Sequence, residues 1–246
     1  MYLTIQAIVL RVTDYNDRDA LLTLLSRSHG KLTVKARGLR RKNSPLIAPC
    51  QLLSYGEFTL FEYRGSYTIN EAHAIELFTP LHRDLMKLTL GTYFAQAAEV
   101  IAQEDIPDPE LQALLLNCLY ALSALDLPRL QVKSAFELRL ACIAGYTPDL
   151  TGCRICGQEH PDMFDLSAGQ LECGSCGSGG GGIRMPVTVG MLQAMRYICT
   201  CDGKKLFGFT LGEDNLEKLS SLTEGYLTTQ LERGFSTLDF YKSLLI

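Results

Sequence analysis

Residues 1–78 carry short apolar runs set off by turn residues. Leu3 to Val12, Ala20 to Ser26, Lys31 to Arg37, Gln51 to Phe61 and Ser66 to Leu77 are rich in Leu, Ile, Val, Thr, Tyr and Phe. Asp14–Asp19, His29–Gly30, Gly38–Pro49 and Arg64–Gly65 separate them, so the pattern predicts five β-strands. Five short strands without a long helix among them predict a small closed barrel or sandwich. Both faces of the first run are apolar, as for a strand buried on more than one side. At Thr79-Pro80 the rhythm changes to three- and four-residue spacing, with Thr79 as a cap and Pro80 in the first helical turn. Leu81, Leu85, Leu88, Thr92, Ala95 and Glu99 mark one helix. Glu110–Leu125 and Arg129–Ala144 mark two more, the latter stopped by Gly145. Helical patterns return at Pro186–Cys199, Asp214–Arg233 and Thr237–Leu245. The segment 150–185 between them is short-patterned and Gly-rich, with GSGGGG at 177–182 as a flexible link. The expected organisation is a strand domain over 1–78, a helical domain over 79–246, and an insertion in the latter over 150–185.

Composition adds limits. The 246 residues are 47% hydrophobic and 20% charged, with a formal charge of −4, which is globular and not disordered. No apolar run reaches the roughly 18 residues that span a bilayer, and no secretory leader is evident, so a cytoplasmic protein without membrane contact is expected. The charge is unevenly spread. Residues 1–45 hold nine Lys/Arg against three Asp/Glu, and the remainder is acidic. A basic front on an acidic body raises the question of polyanions, although surface solubility gives the same excess.

The chain has nine cysteines, an odd number that argues against a disulfide framework. Cys153-x2-Cys156 and Cys173-x2-Cys176, sixteen residues apart, fit the spacing of a zinc site. A two-residue spacer aims two thiolates at one point, and two such turns complete a tetrahedron. Gly157 and Gly177 follow the pairs, where a turn needs positive φ. The segments Met163–Leu166 and Gln170–Glu172 can form a hairpin that brings the pairs together. Such a site looks too small for its own core, so the metal would hold it. Four thiolates leave no open coordination position, which reads as structural zinc, one per chain; a redox CxxC and a ligand role for His160 are the alternatives. Cys199 and Cys201 read as ordinary thiols, with an oxidation-prone pair as the alternative.

The segment KLTVKARGLRRK is the second candidate site. On a strand, Leu32, Val34 and Ala36 would point inward, and Lys31, Thr33, Lys35 and Arg37 outward. Arg40, Arg41 and Lys42 continue the charge into a loop. Cations spread over roughly 30–40 Å of extended chain suit a phosphate backbone, and no nearby acids are evident in the run. A solvated edge strand competes evenly with this reading. Tyr15, Tyr55, Tyr63 and Tyr67 could stack on bases but read as half-buried packing. Arg129, Lys133 and Arg139 are weak candidates for extending a DNA path. Asp14, Asp17 and Asp19 read as a polar turn, with a Mg²⁺ site as the lesser alternative. No phosphate-loop, HExxH or nucleophile-elbow pattern occurs, so a non-enzymatic protein is expected.

Taken in order, the strand module, Gly30-Lys31, Ala36-Arg37-Gly38 with Arg40-Arg41, Gly145-Tyr146-Thr147-Pro148 and the paired cysteines resemble the RecO family of bacterial recombination mediators over nearly the whole chain. The resemblance implies a multidomain α+β protein, with an N-terminal five-stranded OB-fold β-barrel and a C-terminal helical domain carrying a four-cysteine zinc knuckle. It implies binding of single- and double-stranded DNA, strand annealing, and action with RecR and sometimes RecF. The outcome would be loading of RecA onto DNA coated by the single-stranded-DNA-binding protein, whose acidic C-terminal tail is also contacted. Its DNA-binding positions match Lys31, Lys35, Arg37, Arg40, Arg41 and Lys42, and its zinc positions match Cys153, Cys156, Cys173 and Cys176. Such a protein would be cytoplasmic and nucleoid-associated. A protein-interaction adaptor with a merely solvated basic strand, and an enzyme with a dispersed site, are the competing classes.

Overall fold

The computed structural model describes residues 1–176 and 182–245. Most of the glycine run expected as a link, Gly177 included, lies outside them. The strands are β1 (Tyr2–Asp14), β2 (Ala20–Ser26), β3 (Gly30–Ala36), β4 (Tyr55–Tyr63) and β5 (Ser66–Glu76). They close into a barrel in the order β1-β2-β3-β5-β4. All pairings are antiparallel except β3–β5. Alternate residues fill the interior: Ile5, Ala7 and Val9 from β1, Ala20, Leu22 and Leu24 from β2, Leu32, Val34 and Ala36 from β3, with Phe58, Leu60 and Ile69 opposite.

The start of β4 differs from the sequence expectation. Residues 51–54 form a turn, in which Leu53 takes φ 66°. Its amide bonds the Val9 carbonyl at 2.9 Å, and the Ser54 carbonyl accepts from the Val9 amide at 2.9 Å. The Ser54 hydroxyl donates to Pro49 O at 2.5 Å. A buried hydroxyl satisfied locally competes with ladder pairing, so the strand begins four residues late.

The chain forms two compact units. The first comprises residues 1–125 and 235–246, so the change of texture at Thr79 falls inside it. Its helices are α1 (Thr79–His82), α2 (Leu85–Ile101) and α3 (Pro109–Ala124). The single helix expected from Thr79 is two. Phe78, not Thr79, precedes the first turn, and Asp84 restarts the helix by accepting from the amides of Met86 and Lys87 at 2.9 and 3.1 Å. Such a cap is worth about 1 kcal/mol. Asp108 caps α3 in the same way, with Pro109 in the first turn. The outer face of the first strand is covered from within this unit. The buried Gln112 of α3 donates to Gln6 O at 3.3 Å and Leu25 O at 3.0 Å, satisfying carbonyls of β1 and β2.

The second unit spans 126–234. It holds α4 (Arg129–Ile143), β6 (Asp149–Cys153), β7 (Met163–Asp165), β8 (Gln170–Glu172), β9 (Arg184–Pro186), α5 (Val189–Thr200) and α6 (Glu213–Gln230). Gly145 ends α4 with φ 91°, and the next amide, Tyr146, reaches back to Ala141 O at 2.8 Å. The four short strands form one sheet in the order β6-β8-β7-β9, and β7 and β8 are the expected hairpin. The last helix, α7 (Ser236–Ser243), belongs to the first unit, where Thr237 donates to Gln96 at 2.5 Å.

Candidate nucleic-acid interface and metal centre

Strand β3 alternates as its sequence requires. Leu32, Val34 and Ala36 are buried, while Lys31, Thr33, Lys35 and Arg37 lie on the outer side. The turn after it is pinned by the β1–β2 loop. Asp19 accepts from the Gly38 amide at 2.8 Å, and the Arg40 amide bonds Arg18 O at 3.1 Å. The Gly38 amide, then the Asn16 side chain, then Lys35 hold the Asp19 carboxyl below its ordinary value.

The six cations do not share one environment. Lys31 lies 3.9 Å from Glu104 and donates to Glu99 O at 3.4 Å. Lys35 lies 3.6 Å from Asp19 and 4.4 Å above the Tyr15 ring. Arg40 pairs with Asp14 at 3.2 Å and donates to Asn16 O at 3.1 Å. The expectation of no nearby acids is therefore corrected: the carboxylates come from the end of β1 (Asp14), the β1–β2 loop (Asp19) and the segment after α2 (Glu104), all outside the basic run itself. Asp14 and Asp19 are anchors of that run. Arg37, Arg41 and Lys42 are exposed, and among the described residues none has an ion-pair partner. Arg37 and Arg41 rim a cavity of about 490 Å³, floored by Leu46 and Ile69.

Of the tyrosines expected to be half-buried, Tyr55 and Tyr67 are, whereas Tyr15 and Tyr63 are exposed. Tyr15 lies in the β1–β2 loop, outside any strand, and for Tyr63 alternation fixes the face and not what covers it. In the second unit, Lys133 is not available as a DNA contact. It is buried, with Glu137 and Glu224 each at 2.9 Å. Arg139 donates to Cys201 O at 2.5 Å.

The four paired cysteines meet. Their Sγ atoms all lie within 4.8 Å of one another, with Cys156 and Cys173 at 3.7 Å. A tetrahedral ion with metal–sulfur bonds of about 2.3 Å would place its ligands roughly 3.8 Å apart, so the group fits and could hold a metal ion. The Cys156 amide first, then the amides of Ile155 and Cys173, bring the Cys153 thiol down to about 6. Burial, followed by the neighbouring thiols, pushes Cys173 up to about 12. The Cys156 side chain first, then burial, raises Cys176 as well, so negative charges crowded this closely oppose one another unless a cation offsets them. Gly157 takes φ 76°, as its turn requires. The hairpin is better supported than the sequence suggested. Phe164 and Leu171 are buried, and the Phe164 ring meets Tyr226 of α6 edge-on at 5.3 Å.

Cys199 and Cys201 do not face each other's partners. Cys199 Sγ lies 3.7 Å from Cys142 Sγ, and Cys201 Sγ lies 3.3 Å from Arg139. Sequence spacing gives no sign of the Cys142 contact, because it joins two helix ends far apart along the chain.

Residues 1–78 match the family described as Recombination protein O N terminal, and residues 82–239 match Recombination protein O C terminal. The chain belongs to the RecO family. It is 33% identical to the DNA repair protein RecO of Acetivibrio thermocellus, covering 99% of this chain and 97% of the relative. The RecO of Alkaliphilus metalliredigens is 28% identical, over 99% of this chain and all of the relative. That of a Thermoanaerobacter species is 28% identical, over 97% and 96%. The RecO layout of closed five-stranded barrel, helical region and four-cysteine cluster is the one observed. Among the described residues, no helix is long and apolar enough to cross a membrane.

Proposed function

We propose that this RecO-family chain is a non-enzymatic DNA-binding mediator of recombinational repair, which binds single- and double-stranded DNA and anneals complementary strands. Family membership supports a DNA repair role. The observation that carries the finer reading is the trio Arg37, Arg41 and Lys42, exposed beside the outer face of a closed barrel and without carboxylate partners among the described residues. Lys31, Lys35 and Arg40 complete the site as cations that exchange a carboxylate for a phosphate. Annealing needs no bond chemistry. Two strands repel through their phosphates, a cationic surface lowers that repulsion by releasing counterions, and holding both strands raises their effective concentration. Base pairing supplies the sequence specificity. In the cell this activity would serve RecR and RecF in loading RecA onto DNA coated by the single-stranded-DNA-binding protein, with that protein's acidic tail as a further contact.

Cys153, Cys156, Cys173 and Cys176 would hold one structural zinc, which braces the turns of the second unit. Elemental analysis should find about one zinc per chain, and C153S/C176S should lose it; much less than one in carefully prepared wild-type protein rejects the assignment.

The deciding experiment is annealing of complementary oligonucleotides with wild-type protein and with R37A/R41A/K42A. The variant should anneal several-fold more slowly and bind DNA more weakly. Equal rates would remove this turn from the site. The adaptor reading has the ion pairs of Lys31, Lys35 and Arg40 in its favour, and would prevail if wild-type protein had no measurable affinity for nucleic acid.

A further inference from the structure

A row of outward-facing side chains crosses the barrel away from the basic turn. Lys35 of β3 is registered with Thr68 of β5, Thr68 with Phe61 of β4, and Phe61 with Tyr2 of β1. At about 4.8 Å per strand, the row from Lys35 to Tyr2 spans roughly 14 Å. Tyr63 lies two residues beyond Phe61 and so shares its face, about 7 Å along the strand. The rings are not packing elements of the interior. Tyr2 is 62% exposed, Phe61 40%, Tyr63 59% and Tyr15 56%. Cations stand among them: the Lys35 ammonium lies 4.4 Å from the Tyr15 ring, and the Arg64 guanidinium 5.2 Å from the Tyr63 ring. Tyr2 and Phe61 form a tilted pair at 5.3 Å. Beside them, Thr4 and Thr59 present hydroxyls 3.3 Å apart.

We propose that this aromatic row, Tyr2, Phe61 and Tyr63 with Tyr15 at its far end, is a stacking platform for the unpaired bases of single-stranded nucleic acid. The inference rests on the DNA-binding reading above and adds to it a base-contacting surface, distinct from the phosphate-contacting turn. The pattern decides the occupant. Exposed rings interleaved with cations suit a polymer that alternates π-faces with phosphates. A partner's β-strand would need an open edge to pair with, and the barrel is closed. A membrane surface would be opposed by the threonine hydroxyls within the patch. Duplex DNA keeps its base faces stacked internally and cannot use the rings, so the row gives preference for single strands.

The test uses the full chain and three probes of equal length: oligo(dT), an abasic oligonucleotide and a duplex. F61L and Y63L should each bind oligo(dT) about tenfold more weakly. Both should bind the abasic strand and the duplex within about twofold of wild type, with unchanged melting. R37A/R41A/K42A should weaken binding to all three. The chain has no Trp, so Y63W introduces a sole indole, whose emission should be quenched by oligo(dT) and not by the abasic strand. Wild-type binding of oligo(dT) no tighter than of the abasic strand overturns the stacking row and leaves the phosphate site standing. F61L and Y63L that hold oligo(dT) as wild type does, with an unquenched Y63W, likewise overturn the row alone. Wild-type protein that binds none of the three overturns both readings together.

Discussion

Lys133 and Glu137 stand one helical turn apart on α4, and neither reaches water. Burial pushes the Glu137 carboxyl up against the pull of Lys133, while Glu224 shares the same ammonium and Thr223 donates to Glu137 at 2.7 Å. Removing one partner strands a buried charge, so Lys133→Met should cost about 3–5 kcal/mol in urea unfolding; K133M/E137L should cost much less. An equal cost in both variants would mean the loss is of packing alone. Sequence spacing gives the Lys133–Glu137 pair, but its burial depends on Glu224 and Ser220 of a distant helix, which is why Lys133 looked available for DNA. Asp19 supplies a pH-dependent contact of opposite kind. Its folded value lies below the ordinary 3.8 chiefly through the Gly38 amide, so its contribution is present above 3.8 and is lost as pH falls through the lowered value. The Gly38 amide resonance should therefore titrate with a midpoint below 3.8, and that step should vanish in D19N. A midpoint at or above 3.8 would mean that the carboxylate does not hold the turn.

Elements built on strict alternation were readable from residues alone. Strand β3 shows period two through seven residues, and the structure buries Leu32, Val34 and Ala36 as the pattern requires. Helix α4 and its Gly145 stop were readable for the same local reason. The break at Arg83–Asp84 was not, because its apolar rhythm continues through a carboxylate that turns back to cap Met86 and Lys87. The knuckle hairpin was readable as a hairpin, while its support was hidden, since Tyr226 lies on a helix far along the chain. That support changes the expected response to metal removal. Structural zinc is worth about 10–16 kcal/mol in peptides that unfold without it. Here Phe164 and Leu171 keep their cover, so a chelator should free the cysteine turns and leave the helices formed. Far-UV circular dichroism should hold nearly constant, while limited proteolysis opens the segment 153–160. Cooperative loss of helicity on chelation would show that the ion, not the Phe164 contact, carries the second unit.

Across the whole chain, the basic run of 1–45 is embedded in a protein of net charge −4. Excess charge alone overstates the capacity for phosphate, because Asp14 and Asp19 of the same segment and Glu104 beyond it already occupy part of it. For single strands each neutralised phosphate contributes about −0.7 to the slope of log K against log salt. Six free cations would give about −4; Arg37, Arg41 and Lys42 alone give about −2. Lys31, Lys35 and Arg40 add less than their count, since a phosphate that reaches them must displace Glu104, Asp19 or Asp14 and then sit beside that carboxylate. The wild-type slope for oligo(dT) should thus lie near about −2. Neutralising Asp14 and Asp19 in D14N/D19N frees Arg40 and Lys35 and should steepen it toward about −3.5, with tighter binding at low salt. A wild-type slope already near about −4 would mean that the ion pairs offer no competition. A slope that D14N/D19N leaves unchanged would mean that Lys35 and Arg40 serve only to fix the turn that presents Arg37, Arg41 and Lys42.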